Sequence, residues 1–249
     1  MHRFYLPPEN CRGDALRLDG REAHHALQVL RLKRGELVSV LDGIGNEFMC
    51  TVDEVSRNAV TLSISIKNFV PAPPRSITLL VAIPKGKIIE SVIQKSVELG
   101  VWKIVPLLTE RVVTRLAEHE REHKRVQWQQ VAIEAIKQCG AAWLPKIETP
   151  VDIEIFLARK EPFDLSLVGS LQSERRHPRE IFHEFEKQHG HLPKAAAVWI
   201  GPEGDFTLEE LKAIQNSGAQ PITLGELTLR VETAAVYCLS ILNYELQRD

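Results

Sequence analysis

Two different spacings of apolar residues divide the chain. Over residues 1 to about 70 the apolar positions alternate with polar ones. Val60, Leu62, Ile64 and Ile66 are interleaved with Thr61, Ser63, Ser65 and Lys67, and Phe48, Cys50 and Val52 repeat the pattern, which is the period of a half-buried strand. Leu37 to Leu41 predicts another strand, closed by the turn-forming pairs Asp42-Gly43 and Gly45-Asn46. One short helix is predicted from Arg21 to Leu32, with Ala23, Leu27 and Leu30 on one face. Several short strands in so small a unit predict a compact β-barrel. Pro71, Pro73 and Pro74 then interrupt any regular element, because proline lacks the N–H that a ladder or helix needs. The predicted organisation is a barrel over 1–70, a stiff linker over 71–75 and a second domain over 76–249.

Beyond the prolines, continuous apolar runs alternate with stretches of helical spacing. Ile77 to Ile83, Ile104 to Leu108, Leu165 to Val168 and Ala195 to Ile200 are predicted strands of the kind buried on both faces. Helices are predicted between them: around Ile89 to Val97 with Gly100 at its end, Glu118 to Cys139, and Arg179 to Gln188. Thr207 with Glu210 three residues on forms a capping box for another helix, ended by Gly218. A short strand from Ile222 to Leu224 and a last helix from Val231 to Leu246 complete the pattern. Strands alternating with helices imply an α/β domain built on a mostly parallel sheet covered on both sides.

The candidate chemistry sits late in the chain. Gly201, Pro202, Glu203 and Gly204 break a buried strand into a tight turn, and Gly225 opens the loop LGELTLRVETA, which gathers an arginine, two glutamates and two threonines. Glycine-bearing loops at the carboxyl ends of neighbouring strands are where open α/β sheets bind small molecules, although a strand-turn-helix with Gly and Pro is also common as a plain connector. GxGxxG, GxxxxGK[ST] and GxSxG are absent, which disfavours a Rossmann dinucleotide site, a P-loop and a hydrolase elbow.

Composition narrows this only a little. A net charge of −2 argues against sequence-blind coating of nucleic acid. Local basic groups remain: Arg12, Arg17, Arg21, Arg31, Lys33 and Arg34 in the first unit, and an excess of basic over acidic side chains between Lys85 and Arg125. The first group makes a plausible RNA platform, or else solvated surface. With no apolar run near 18 residues and no leader-like start, the expectation is a soluble intracellular protein without membrane contact. Cys11, Cys50, Cys139 and Cys238 are far apart and suggest reduced thiols. The adjacent His24 and His25 point about 100° apart on a helix, so no metal is expected.

In register along the chain, PKGKIIESVIQKSVELGVWKIVPLLTERVV, EAIKQCGAAWLPKI, IGPEGDF and LGELTLRVETA resemble the RsmE family of 16S ribosomal RNA (uracil-N3)-methyltransferases, of the SPOUT class. HRFYL and HHALQVLRLKRGELVSVLDGIG are similar to that family's PUA-like N-terminal barrel. The resemblance implies a C-terminal trefoil knot, an S-adenosylmethionine cofactor, a homodimer, and a cytoplasmic function on 16S rRNA in the 30S subunit. It implies cofactor contacts from Leu167, Val168, Gly169 and Ser170, from Ile200, Gly201, Pro202 and Gly204, from Leu224, Gly225, Leu227, Thr228 and Leu229, and from Thr233 and Ala234. RNA contacts are expected from Arg3, Arg12, Arg17, Arg21, Arg31, Lys33, Lys85, Lys87 and Arg111. Methylating N3 of uracil places negative charge on O2 and O4 as the imide loses its proton, and a fixed cation stabilises it. Arg230 is the first candidate, with Glu232 to orient it, Thr233 to cap the last helix, and Glu203 to accept a proton or hold its loop. The alternative for Arg230 and Glu232 is a structural ion pair.

Two departures stand out. Asp205 occupies a position that is usually glycine in the family, and Gly140, Ala141 and Ala142 follow Gln138-Cys139 where a basic residue is usual. They keep two other readings open: a different SPOUT RNA methyltransferase acting on ribose 2′-hydroxyl or tRNA, and a non-catalytic RNA-binding assembly factor.

Overall fold

Strand pairing separates the chain into a five-stranded and a seven-stranded sheet. The computed structural model describes residues 1–112, 116–171 and 175–247. Packing divides them into one unit of Met1–Ala72 with Ile133–Leu144, and another of Pro73–Ala132 with Pro145–Asp249.

The first unit contains β1 (His2–Tyr5), β2 (Ala15–Leu18), α1 (Gly20–His24), β3 (Leu37–Leu41), β4 (Asn46–Val55) and β5 (Val60–Phe69). The sheet order is β1-β3-β4-β5-β2, with β1 parallel to β3 and the other pairs antiparallel. Among the described residues no pairing joins the edge strands β1 and β2, so the sheet curls without the closure that the strand pattern predicted. Phe4, Leu16, Leu18, Val38, Val40, Phe48, Val52, Val60 and Leu62 fill its core. The alternation in β5 fails after Ile64, and Ile66 and Phe69 are exposed because the strand runs past the covered part of the sheet.

The helix predicted over Arg21 to Leu32 is shorter and irregular: α1 ends at His24 and a π-helical turn, His25–Val29, follows. His25 packs edge-on to Phe4 with ring centroids 6.0 Å apart. The Asp42-Gly43 and Gly45-Asn46 pairs do form the β3–β4 turn. Asp42 is buried there and its Oδ1 accepts the amides of Ile44 (2.9 Å) and Asn46 (3.0 Å). Gly45 has φ +100, and a Cβ would lie 2.7 Å from the Val70 carbonyl oxygen, so only glycine fits.

The long helix α3 (Glu118–Cys139) contributes its last turns, from Ile133, to this first unit. Lys137 Nζ lies 2.9 Å from Glu22 Oε1, with both side chains largely buried. Arg3 Nη1 donates to Gln138 O at 3.2 Å, at the carboxyl end of α3, where a cation also meets the negative end of the helix dipole. A Cβ on Gly140 would stand 2.9 Å from Arg3 Nη2. Arg3 therefore fills the space that a side chain at 140 would need, and is committed to this helix end.

The second unit contains β6 (Ser76–Ala82), α2 (Ile88–Glu98), β7 (Lys103–Leu108), the first part of α3, β8 (Lys146–Ile147), β9 (Val151–Asp152), α4 (Ile153–Ala158), β10 (Leu165–Gly169), α5 (Pro178–His189), β11 (Ala195–Ile200), α6 (Leu208–Asn216), β12 (Gln220–Ile222) and α7 (Val231–Leu246). Its sheet runs β12-β10-β11-β6-β7-β8, with β9 also on β7, and every pair is parallel. Leu79, Leu80, Val81 and Ala82 are fully buried, as a strand covered on both faces must be. The strand predicted at Ile222 to Leu224 instead spans Gln220–Ile222, which leaves Thr223 and Leu224 to the following loop. Among the described residues no helix is long and apolar enough to cross a membrane, and no group of His, Cys, Asp or Glu is placed to hold a metal ion. All four cysteines are free.

An ion network braces this unit at the β7–β8 edge. Glu148 Oε2 accepts from Arg159 at 2.7 Å and Oε1 from Lys146 at 3.3 Å, and Lys103 pairs with Glu161 beside them. Burial alone would raise the Glu148 carboxyl, but the donations from Arg159 and Lys146 and the nearby charge of Lys103 outweigh it and hold it below its usual value. A carboxylate lowered in the folded state contributes stability above the ordinary value of 4.5 and loses it as pH falls through the folded-state value. Glu148→Gln is expected to cost about 1–2 kcal/mol at neutral pH, and urea titrations of the two proteins should converge in acid.

Candidate functional site

Three consecutive strands in space, β12, β10 and β11, end side by side because they are parallel neighbours. Their carboxyl ends, at Ile222, Gly169 and Ile200, open into loops that enclose a cavity of about 260 Å³. Gly169, Ile200, Gly201, Pro202, Leu224, Gly225, Leu227, Thr228, Leu229 and Ala234 line it, together with Glu203 and Arg230. These predicted residues are thus brought together. Leu167 and Val168 are buried inside β10, and Gly204, Thr233 and Glu232 also lie outside the cavity lining.

Close backbone approach explains the first loop. A Cβ on Gly201 would lie 3.0 Å from Asp205 Oδ1 and 3.1 Å from the Phe206 amide nitrogen. The turn closes through Asp205 N–H to Pro202 O at 2.9 Å. Side chains from elsewhere in the unit hold it: Glu203 Oε1 accepts the Lys85 amide at 3.1 Å, and Arg111 Nη1 donates to Gly204 O at 2.7 Å. The predicted capping box of α6 forms, and its buried Glu210 also accepts the Glu110 amide at 2.8 Å. Glu203 is therefore a loop anchor, and Arg111, expected on RNA, is committed to the loop's backbone. Asp205 has φ +59, in the left-handed region where glycine is free of strain and Asp is among the better-tolerated residues.

The second loop turns at Gly225, whose φ of +107 suits glycine. Its amide donates to Thr223 Oγ1 at 3.2 Å. Arg176 ties the segment after β10 to β12, donating its amide to Pro221 O at 3.1 Å and accepting the Thr223 amide at 3.0 Å. Arg230 is the N-cap residue of α7, with no side-chain cap, and Thr233 lies exposed inside the first turn. Thr233 thus does not cap the helix. Among the described residues Arg230 makes no ion pair with Glu232 or with any other carboxylate, so neither the orienting contact nor the structural pair forms. The guanidinium is exposed at the cavity, above the positive end of a 16-residue helix.

Leu171, Arg175, Asp205 and Val231 also line the cavity. Arg175 donates to Ser170 O over a long 3.4 Å. A basic residue in the loop following β10 was its only sequence signal, and the register of β10 on β12 was needed to bring that loop to the cavity.

The expected RNA cations are scattered. Lys85 and Lys87 are exposed in the loop after β6, beside the Glu203 anchor, and their ammonium groups make no ion pair among the described residues. In the first unit Arg17 pairs with Asp19 at 3.0 Å and Arg21 with Glu134 at 3.6 Å. Arg12, Arg31 and Lys33 are exposed, and Arg34 lies 3.6 Å from Asp53.

Comparison with known proteins identifies this arrangement. The family profile described as the RNA methyltransferase domain matches residues 71–243, and that of the RNA methyltransferase PUA domain matches 18–65. The fold is thus that of an RNA methyltransferase. Ribosomal RNA small subunit methyltransferase E of Synechocystis sp. is 30% identical over 99% of this chain and 78% of its own length. A Neisseria gonorrhoeae ribosomal RNA small subunit methyltransferase E, solved bound to S-adenosyl methionine, superposes with TM-score 0.85 at 27% identity, over 98% of this chain and 97% of that one. A Legionella pneumophila methyltransferase solved with S-adenosyl methionine has TM-score 0.86 at 33% identity, over 97% and 96%. The chain belongs to the ribosomal RNA small subunit methyltransferase E family.

The packing of the first loop makes its two glycines unequal. Gly201→Ala is expected to lower stability by about 1–2 kcal/mol, because backbone at Phe206 must give way. Gly204→Ala, whose Cβ would meet only the Arg111 side chain, Cδ at 3.5 Å and Cβ at 3.8 Å, should change it by less than about 0.5 kcal/mol. Equal losses in thermal melts would contradict the geometry.

Proposed function

We propose that the protein transfers a methyl group from S-adenosylmethionine to N3 of a uridine in the decoding region of 16S rRNA, acting in the cytoplasm on the 30S subunit. The observation that carries this reading is the cavity at the ends of β10, β11 and β12, with Arg230 at its wall making no ion pair among the described residues. The residues present fit the cofactor. Ile200, Leu224, Leu229, Val231 and Ala234 offer apolar surface for a purine, and Gly169, Gly201 and Gly225 let backbone amides and carbonyls approach it.

When bound, S-adenosylmethionine supplies an electrophilic methyl: the N3–CH3 bond forms as the S–CH3 bond breaks, leaving a neutral thioether and a released imide proton. The protein's share is alignment and charge stabilisation. Glu203 and Arg111 hold the loop that forms one wall, so the reacting atoms meet in a fixed frame. Arg230 faces the charge that grows on the uracil oxygens as N3 gives up its proton, and with no carboxylate among the described residues paired to it its field is available to substrate. The exposure of Lys85 and Lys87 supports a role for them in meeting RNA phosphates.

Two finer readings belong to the same proposal. The C-terminal segment is threaded as a trefoil knot, which the family resemblance supports. The active form is a homodimer: α7 exposes Tyr237 and Tyr244, at 48% and 73%, and the site loop exposes Leu227 at 80%, apolar surface of the kind that self-association covers.

Calorimetric titration with S-adenosylmethionine should give one site per chain, and 30S subunits from a strain lacking its own enzyme should be labelled, with mass spectrometry placing the methyl on uracil N3. Cofactor binding without labelling of 30S or 16S RNA would defeat the substrate assignment, and a methyl on ribose would redirect it. Arg230→Ala is expected to lower kcat about 100-fold while leaving cofactor Kd within threefold, and Arg230→Lys should recover part of the loss.

A further inference from the structure

Among the described residues the cavity wall carries four charged side chains, Arg175, Arg230, Glu203 and Asp205. Arg230 has an anionic partner in the reading above. The carboxylates are not equivalent. Glu203 is exposed and holds the Lys85 amide. Asp205 is half-buried, and its Oδ1 accepts the Phe206 amide at 2.9 Å. Among the described residues no Lys, Arg or His pairs with Asp205, and Oδ2 accepts no hydrogen bond. The chain holds this carboxylate on the cavity wall with a φ of +59, in the left-handed region that Asp enters more readily than most residues with a Cβ. Oδ2 is not shut away from solvent, so it is open to a donor that a ligand brings in place of water.

The ligand has two cationic centres. The sulfonium loses its charge during methyl transfer. A carboxylate beside it would stabilise the ground state more than the transition state and slow the reaction. The α-ammonium keeps its charge throughout, so binding it is uniform across the reaction and strengthens affinity without opposing the chemical step. We propose that Asp205 is a cofactor-selecting residue that accepts a charge-assisted hydrogen bond from the α-ammonium of the bound methionine moiety. Arg175, which lines the same cavity, receives the α-carboxylate. This inference rests on the methyl-donor reading of the cavity.

The test is isothermal titration of the full chain with three probes. S-adenosylmethionine has both cationic centres, S-adenosylhomocysteine keeps only the ammonium, and 5′-methylthioadenosine has neither. The variant is Asp205→Asn, since asparagine tolerates the left-handed backbone and can still accept the Phe206 amide. A thermal melt within 2 °C of wild type on the order expected for surface changes confirms that the loop is kept. The expected result is a roughly tenfold rise in Kd for S-adenosylmethionine and S-adenosylhomocysteine alike, with 5′-methylthioadenosine unchanged. Weakening of S-adenosylmethionine alone would assign the contact to the sulfonium and overturn the proposal. So would equal weakening of all three, which marks a structural loop residue, or no change in any. A fall in single-turnover rate on 30S subunits with Kd unchanged would assign Asp205 to proton removal instead, and also overturn it. Wild-type protein that binds none of the probes would remove the methyl-donor reading itself, an outcome distinct from the variant patterns.

Discussion

The site depends on one steric constraint: backbone must bend back on itself at the carboxyl end of β11 with no room for a side chain. Gly201 sits where a Cβ would press on both the carboxylate of Asp205 and the amide of Phe206. That bend lets β11 end as a fully buried strand while the residues just after it line a cavity. The parallel sheet supplies the rest of the condition. Because β12, β10 and β11 run the same way, their carboxyl ends lie together, and three loops share one space.

A bend this tight cannot be held by apolar burial alone, and the polar ties around it have different strengths. Glu210 is buried and its carboxylate accepts two amides at once, that of Thr207 in the capping box and that of Glu110. Removing such a group leaves buried donors unpaired. Glu203 and Arg111 are exposed, and their contacts to Lys85 and Gly204 are open to water, so each is worth less. The helix-facing half of the loop is therefore the more strongly tied, and the half at the cavity is held by the weaker contacts. Arg230 stands apart from both: it caps α7 by backbone only and leaves its guanidinium uncommitted among the described residues, which suits a group whose partner arrives from solution.

The first unit uses its basic residues in two ways. Arg3 is committed to the end of α3, where it fills the space over Gly140. The missing basic side chain after Cys139 is thus accompanied by a guanidinium brought in from β1, which weakens the argument from that departure for an RNA binder without turnover. Arg12, Arg31 and Lys33 stay exposed, and an electrostatic contact to phosphate asks only for that.

Local pattern determined much of this protein. The boundaries of α3, β3 and β11 and the capping box of α6 were legible because each is set by neighbours in sequence: an apolar period, a turn pair, a Thr three residues before a Glu. The two glycine-bearing loops were legible for the same reason, as was the cluster of residues that now lines the cavity. Tertiary structure decided what pairing and packing control. It shifted β12 to Gln220–Ile222 through its register on β10, and it broke the first helix into a π-helical turn. It committed Arg3 and Arg111 to carbonyl oxygens more than ninety residues away. It also brought Arg175 and Asp205 to one cavity. Which charges are left for a ligand is a property of long-range contacts, and no spacing along the chain carries that information.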